Sequence, residues 1–255
     1  MKLLIKKIAR SNLGIFLRNT LKFKPVQFDL GKLDLVTVSD AFAWRTDNGF
    51  VTKFKYSDIL NLFYKVKNSY VEIHFFTYDN KLLKKMRVKE LDLSNELLIN
   101  PDFFNGLKSF GTFSIYHYTK EKLNDESIIS NRCYPGYSHN NNLFSFVHGN
   151  ALASYSDIND GDTVKTDIVK TSLLKNHTYK IQKYFADFDK SELFFTNPTS
   201  KVINFAVNGK NFNLKKGCSK IVEVSNEVIT IKSNCLFLRP FVFSYKNGFL
   251  DVHHS

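Results

Sequence analysis

Short runs of alternating apolar and polar residues, broken by Asn, Gly and Asp, recur through this 255-residue chain. A period of two places successive side chains on opposite sides of a strand, so such runs specify half-buried β structure rather than long helices. Val71–Tyr78 puts Val71, Ile73 and Phe75 on one face and meets the turn residues Asp79 and Asn80 before Leu82–Val88. Gly111–Tyr118 groups Phe113, Ile115 and His117 in the same way, and Leu143–Val147 is a further short run. Val202–Val207, Asn208-Gly209 and Phe212–Leu214 read as a hairpin, because Asn-Gly suits a turn with two positive φ angles. Ile221–Val224, Val228–Ile231, Leu236–Leu238 and Phe241–Phe243 continue the series. The 25 Phe and 12 Tyr fit pleated surfaces, and a 43% hydrophobic content is enough for a core. A helix is expected after Ser57, carrying Ile59, Leu60, Phe63 and Val66.

Strands at this spacing predict a mainly β fold with two tandem β-sandwich-like units, residues 30–155 and 165–255. Asp157–Asp162, rich in Asp, Asn and Gly, is the expected linker. Paired segments suggest an internal duplication: Phe75–Lys85 resembles Phe205–Lys216, and Leu143–Gly149 resembles Gly248–His254, with a shared Val-His.

Residues 1–24 precede these units as a basic amphipathic helix ended by Pro25. Ile5, Ile8, Ala9, Leu13 and Phe16 share one face, and Lys6, Lys7, Arg10 and Arg18 share the other. The segment holds seven cations and no acid, leaving 29 cations against 24 anions in the rest of a chain with a net charge of +12. It is expected either to lie on an anionic membrane or to dock on the body of the protein. So small an excess elsewhere argues against a nucleic-acid partner. No run reaches 18 apolar residues, and Lys6, Lys7 and Arg10 interrupt the start of anything resembling a signal peptide, so the expected setting is cytoplasmic, with the option of a membrane-peripheral one. Three cysteines with no C-x-x-C pair are expected to be free thiols.

No glycine-rich phosphate loop, H-E-x-x-H or G-x-S-x-G occurs. The densest polar stretch is Asn131–Asn142, followed by His148-Gly149-Asn150. Arg132, Tyr134, Tyr137, His139, Asn142, His148 and Asn150 are the candidate ligand-binding residues. Amides and Arg hydrogen-bond hydroxyl groups, and aromatic faces cover the CH faces of sugars. This predicts a carbohydrate-handling protein that binds or modifies a glycan of the surface-polysaccharide type through residues 131–150. The alternative is a non-catalytic structural or interaction protein, acting at a membrane through its N-terminal helix. A divalent metal is the candidate cofactor, held by His148, Asp251, His253 and His254, since imidazole and carboxylate suit transition metals. Trp44-Arg45 can either clamp a ligand or build the core, and Arg239 needs an acid or a ligand anion as partner.

Overall fold

The structure is a computed structural model, and it describes residues 5, 7–9, 11–20, 35–123, 128–131, 133–150, 152–159, 164–166, 168–172, 176–182, 188–225, 228–236 and 238–254. It is mainly β. Among the described residues the strands gather into five small sheets. Blade I contains β1 (Val36–Asp40), β8 (Ile128–Asn131) and β11 (Leu152–Asp157). Blade II contains β2 (Phe42–Arg45), β4 (Ser69–Thr77), β5 (Leu82–Val88) and β7 (Phe110–Thr119). Blade III contains β3 (Phe50–Tyr56), β6 (Asn95–Ile99), β9 (Tyr134–His139) and β10 (Ser145–Phe146). Blade IV contains β13 (Lys190–Thr196), β16 (Ser219–Val224), β18 (Phe241–Lys246) and β19 (Phe249–His254). Blade V contains β12 (His177–Gln182), β14 (Ile203–Val207), β15 (Lys210–Leu214) and β17 (Val228–Ser233).

The arrangement is a five-bladed β-propeller of small sheets, antiparallel except where β1 and β8 pair in parallel. This corrects the expectation of two tandem β-sandwich units. The physical reason is that a blade and a sandwich sheet ask the same of a sequence: period-two strands with one face packed on a neighbouring sheet. Alternation therefore specifies strands but not the number of sheets. Packing runs in succession through the blades. Phe42, Phe54, Ile73, Phe75 and Phe113 fill the space between II and III. Phe50, Tyr137, Val147, Phe243 and Val252 join III to IV. Leu193, Phe195, Phe205, Ile229 and Ile231 lie between IV and V. Along β7, the Ile115 and His117 N–H groups donate to the Ser39 and Thr37 hydroxyls of β1, at 2.9 and 2.8 Å, and so bind I to II.

The turns follow the sequence closely. Asn208-Gly209 has φ of 47° and 84°, the doubly positive hairpin turn expected, and Asn48-Gly49 and Asn247-Gly248 repeat it. Helix α1 spans Asn12–Thr20. Helix α2 spans Ile59–Tyr64 and is capped by Asp58, whose carboxylate accepts from the Asn61 N–H, rather than by Ser57. Ile59, Leu60 and Val66 are buried, but Phe63 is 71% exposed. Leu236 and Leu238 lie outside the strands. The two Val-His endings are spatial neighbours rather than counterparts in separate repeats. Val147 and Val252 enter the same core, and the Val252 N–H donates to Ser145 Oγ at 2.9 Å.

Candidate functional site

Blade II turns two faces inward. Along β7, Phe113 and Ile115 enter the core with blade III, so the alternate residues Thr112, Ser114 and Tyr116 face the other way. There they line a pocket of about 260 Å³ together with Phe76 of β4 and Ser154 of β11. The far wall is the segment Thr196–Thr199 after β13, with Lys216 and Gly217 after β15. The pocket thus lies where blades I, II, IV and V converge.

Its walls are held by their own hydrogen bonds. Asn197 Nδ2 donates to the Lys201 and Leu214 carbonyls, at 2.7 and 2.8 Å, while its Oδ1 accepts from the Thr199 N–H and hydroxyl, both at 2.8 Å. The Ser219 N–H donates to the Tyr78 carbonyl at 2.8 Å and ties blade IV to blade II. Gly217 has φ of 67°, and a Cβ there would stand 2.3 Å from Asn80 Oδ1, so a side chain at this position would be strained and would displace the Asn80 amide. Tyr116 Oη lies 2.6 Å from Ser154 Oγ. Burial raises the Tyr116 phenol above its ordinary range, which keeps it a neutral donor and acceptor.

Behind this wall, the His74 ring lies 5.2 Å from that of Tyr116 and its Nε2 lies 3.1 Å from Glu72 Oε2. Burial lowers the His74 pKa, against the opposing pull of Glu72. Burial would raise Glu72, but Lys85 and Arg87 outweigh it and hold the carboxyl below its ordinary range. A neutral imidazole on an ionised carboxylate therefore backs a pocket lined by hydroxyl and amide groups. Hydroxyls both donate and accept, so Thr112, Ser114, Tyr116 and Ser154 can each meet an uncharged polyhydroxylated molecule.

The residues expected at the site from sequence are not brought together. Arg132 lies outside the described residues. Tyr137 is a core residue at 0% exposure, its hydroxyl donating to the Ala43 carbonyl at 2.9 Å. His139 packs against Phe50 and Tyr245. Tyr134 is exposed at the start of β9. Asn142 Nδ2 donates to the Gly248 carbonyl at 2.8 Å, and Asn150 Nδ2 donates to the Arg239 carbonyl, so both tether the loop to the C-terminal half.

His148 does meet the C-terminal segment, but through His254 instead of His253. The two rings are 4.1 Å apart, with His254 Nε2 at 3.0 Å from His148 nitrogens. His253 pairs with Asp251 at 3.4 Å. The four candidate metal ligands thus fall into two pairs, and the described residues hold no group of three or more His, Cys, Asp or Glu spaced for one ion. Two imidazoles are half of the four donors that a tetrahedral site requires.

Trp44 and Arg45 are both buried. Trp44 Nε1 donates to the Phe76 carbonyl at 2.9 Å. Arg45 binds Asp47 in a fork at 3.0 and 2.7 Å and reaches Glu192 at 2.5 Å. Tyr245 donates its hydroxyl to the same Glu192 at 2.9 Å. Neighbouring carboxylates raise the Arg45 pKa further against the opposing effect of burial. Cys133, Cys218 and Cys235 are free thiols.

The pocket residues Ser114, Tyr116 and Ser154 escaped sequence reasoning because a polar residue alternating with an apolar one reads as solvent-facing. The available signal was Tyr116 and Tyr118 on the nominally polar face of β7, which marks a strand buried on both sides. No helix among the described residues is long and apolar enough to cross a membrane. No protein-family model matches the chain, and no curated protein matches it either.

Proposed function

We propose that this protein handles carbohydrate by binding a small polyhydroxylated ligand in the pocket where the blades converge. The observation that carries this reading is the lining: the hydroxyls of Thr112, Ser114, Tyr116 and Ser154 surround the aromatic face of Phe76, while Asn197 and Thr199 brace the far wall. Sugars ask for that combination, since their ring hydroxyls pair with neutral donors and acceptors while their CH groups cover an aromatic surface. The volume of about 260 Å³ sits just below the roughly 300–1,000 Å³ of typical ligand pockets, which favours a single sugar ring over a chain.

The test is a titration of the full chain with a panel of neutral monosaccharides, followed by melting temperature and calorimetry. A ligand at about 100 times its Kd is expected to add roughly 2.7 kcal/mol of stability. Ser114→Ala and Tyr116→Phe should each weaken binding about fivefold, the equivalent of one neutral hydrogen bond of about 1 kcal/mol. If no monosaccharide stabilises the protein, or if both variants bind as the native chain does, the reading fails.

A second reading rests on a separate observation. In and near α1, Ile5, Ile8, Leu13, Phe16 and Leu17 are 41–68% exposed, so the apolar face predicted to dock points to solvent, although Ile15 is buried. Together with seven cations and no acid in residues 1–24, this supports attachment to an anionic membrane surface. The full chain is expected to sediment with vesicles containing anionic lipid, and a variant lacking residues 1–24 is expected to stay in the supernatant. Binding should weaken as salt rises, because charge attraction is screened over about 10 Å at 0.1 M. Equal sedimentation of the two proteins would refute it.

A further inference from the structure

A second cavity, independent of the central pocket, opens between the edge strands β12 of blade V and β19 of blade IV. It is a cleft of about 790 Å³, and its polar lining includes His177, Thr178, Tyr179, Lys180, Arg239, His253 and His254. Among the described residues, no Asp or Glu lines it. The composition is unusual for this molecule, since beyond residue 24 cations outnumber anions only 29 to 24. Every other strongly bound Arg described above has a carboxylate: Arg45 holds Asp47 and Glu192, and Arg87 holds Glu72. Arg239 is exposed and has no ion pair among the described residues.

The support beneath Arg239 is nonetheless firm. Its carbonyl accepts from Asn150 Nδ2, and the preceding Leu238 carbonyl accepts from the Tyr179 hydroxyl. Pro240 follows, fixing φ on the other side. The backbone that carries the guanidinium is therefore tethered from two elements while the guanidinium itself is left to solvent. Across the cleft, His254 is fixed by the β18–β19 ladder, opposite Phe241, and its ring rests on His148. Such prior ordering lowers the entropy that a ligand must overcome.

We propose that this cleft is an oxyanion site that accepts the phosphate group of a phosphorylated small molecule. A guanidinium offers a planar fork of N–H donors to two oxygens, Lys180 adds a point charge, and the imidazoles add N–H donors. That set matches a dianion with three equivalent oxygens better than a single carboxylate. The Asp251 carboxylate is not part of the lining and lies 3.4 Å from His253 Nδ1.

The experiment is isothermal titration of the full-length protein with inorganic phosphate, and then with a phosphorylated monosaccharide and its unphosphorylated parent. Phosphate is expected to bind, and sulfate to compete with it. Arg239→Gln should weaken binding about ten- to a hundredfold, the usual loss for one charge-assisted contact, and Lys180→Gln should weaken it less. Both residues are exposed, so these variants keep the fold. Tighter binding of the phosphorylated sugar than of phosphate alone would identify a phosphate ester as the ligand; equal binding would identify free phosphate. Tyr116→Phe is expected to leave phosphate binding unchanged, which separates failure here from failure of the central-pocket reading. Absence of phosphate binding up to about 10 mM, well beyond a millimolar Kd, would overturn the proposal. So would native affinity in both the Arg239→Gln and Lys180→Gln variants.

Discussion

Arg45→Ala is expected to destabilise the protein by about 3–5 kcal/mol, because it leaves the largely buried Glu192 with only the Tyr245 hydroxyl and a looser Lys190 contact at 3.7 Å. Arg45 is 1% exposed and joins β2 in blade II to β13 in blade IV, positions 147 residues apart in the chain. Its guanidinium also lies 3.8 Å from the centre of the Phe50 ring. Truncation therefore removes an ion pair, a fork on Asp47 and an aromatic contact together. Urea unfolding should show the loss, with a fall in melting temperature of roughly 6–20 °C for a chain of this size. Replacing Arg45 and Glu192 together by apolar residues of similar volume should recover most of the stability, since the cost lies in the unpaired charge and not in the absence of the pair. If Arg45→Ala unfolds within about 1 kcal/mol of the native protein, the network is not the clamp described here. The same pair gives a pH dependence. Burial would raise the Glu192 pKa, but Arg45 and Tyr245 lower it below its ordinary 4.5. The folded value is thus lower than the unfolded one. The contribution is complete above pH about 4.5 and is lost as pH falls through the lower folded value.

Trp44→Ala is expected to cost a similar amount, about 3–5 kcal/mol, by opening a cavity between blades II and III. Trp44 is wholly buried and packs 4.6 Å from Phe104. Trp44→Phe should cost less, retaining most of the packing but leaving the Phe76 carbonyl without its indole donor. An independent probe is Gly111→Ala. A Cβ at Gly111 would stand 2.0 Å from the Phe76 carbonyl oxygen and 2.8 Å from Trp44 Nε1, and the backbone oxygen cannot give way as a flexible side chain would. Thermal melts should therefore place Gly111→Ala well below the native protein. A melt within about 2 °C of native for both Trp44→Ala and Gly111→Ala would mean that this junction is loosely packed.

Local features were legible in the sequence, and their assembly was not. The Asn208-Gly209 hairpin could be read because its turn needs residues tolerant of positive φ, a requirement set within four residues. Trp44 could be read as a core residue from its size and apolarity alone. The number of sheets could not be read, because β1 draws its partners from residues 128–131 and 152–157, and no local pattern encodes that choice. The site was hidden for the same reason. Thr112, Ser154 and Thr199 are unremarkable in isolation and become a lining only when distant segments converge. Within residues 131–150, Asn140 and Asn141 hold positive φ angles in a turn, and Asn142 and Asn150 tether the C-terminal half.

Five separate small sheets leave the molecule with an edge problem. Among the described residues there are ten edge strands, two for each sheet, and an edge left uncovered offers N–H and C=O groups to any passing chain. Besides the buried Arg45 on β2, four of those edges carry cations: Lys84, Lys85 and Arg87 on β5, Lys180 on β12, Lys210 on β15 and Lys220 on β16. Like charges on edges that would otherwise pair make edge-to-edge association between copies unfavourable. Part of the basic excess thus also serves colloidal stability. Strong salt, which screens that repulsion, removes a protection that closure of a single continuous barrel would have made unnecessary.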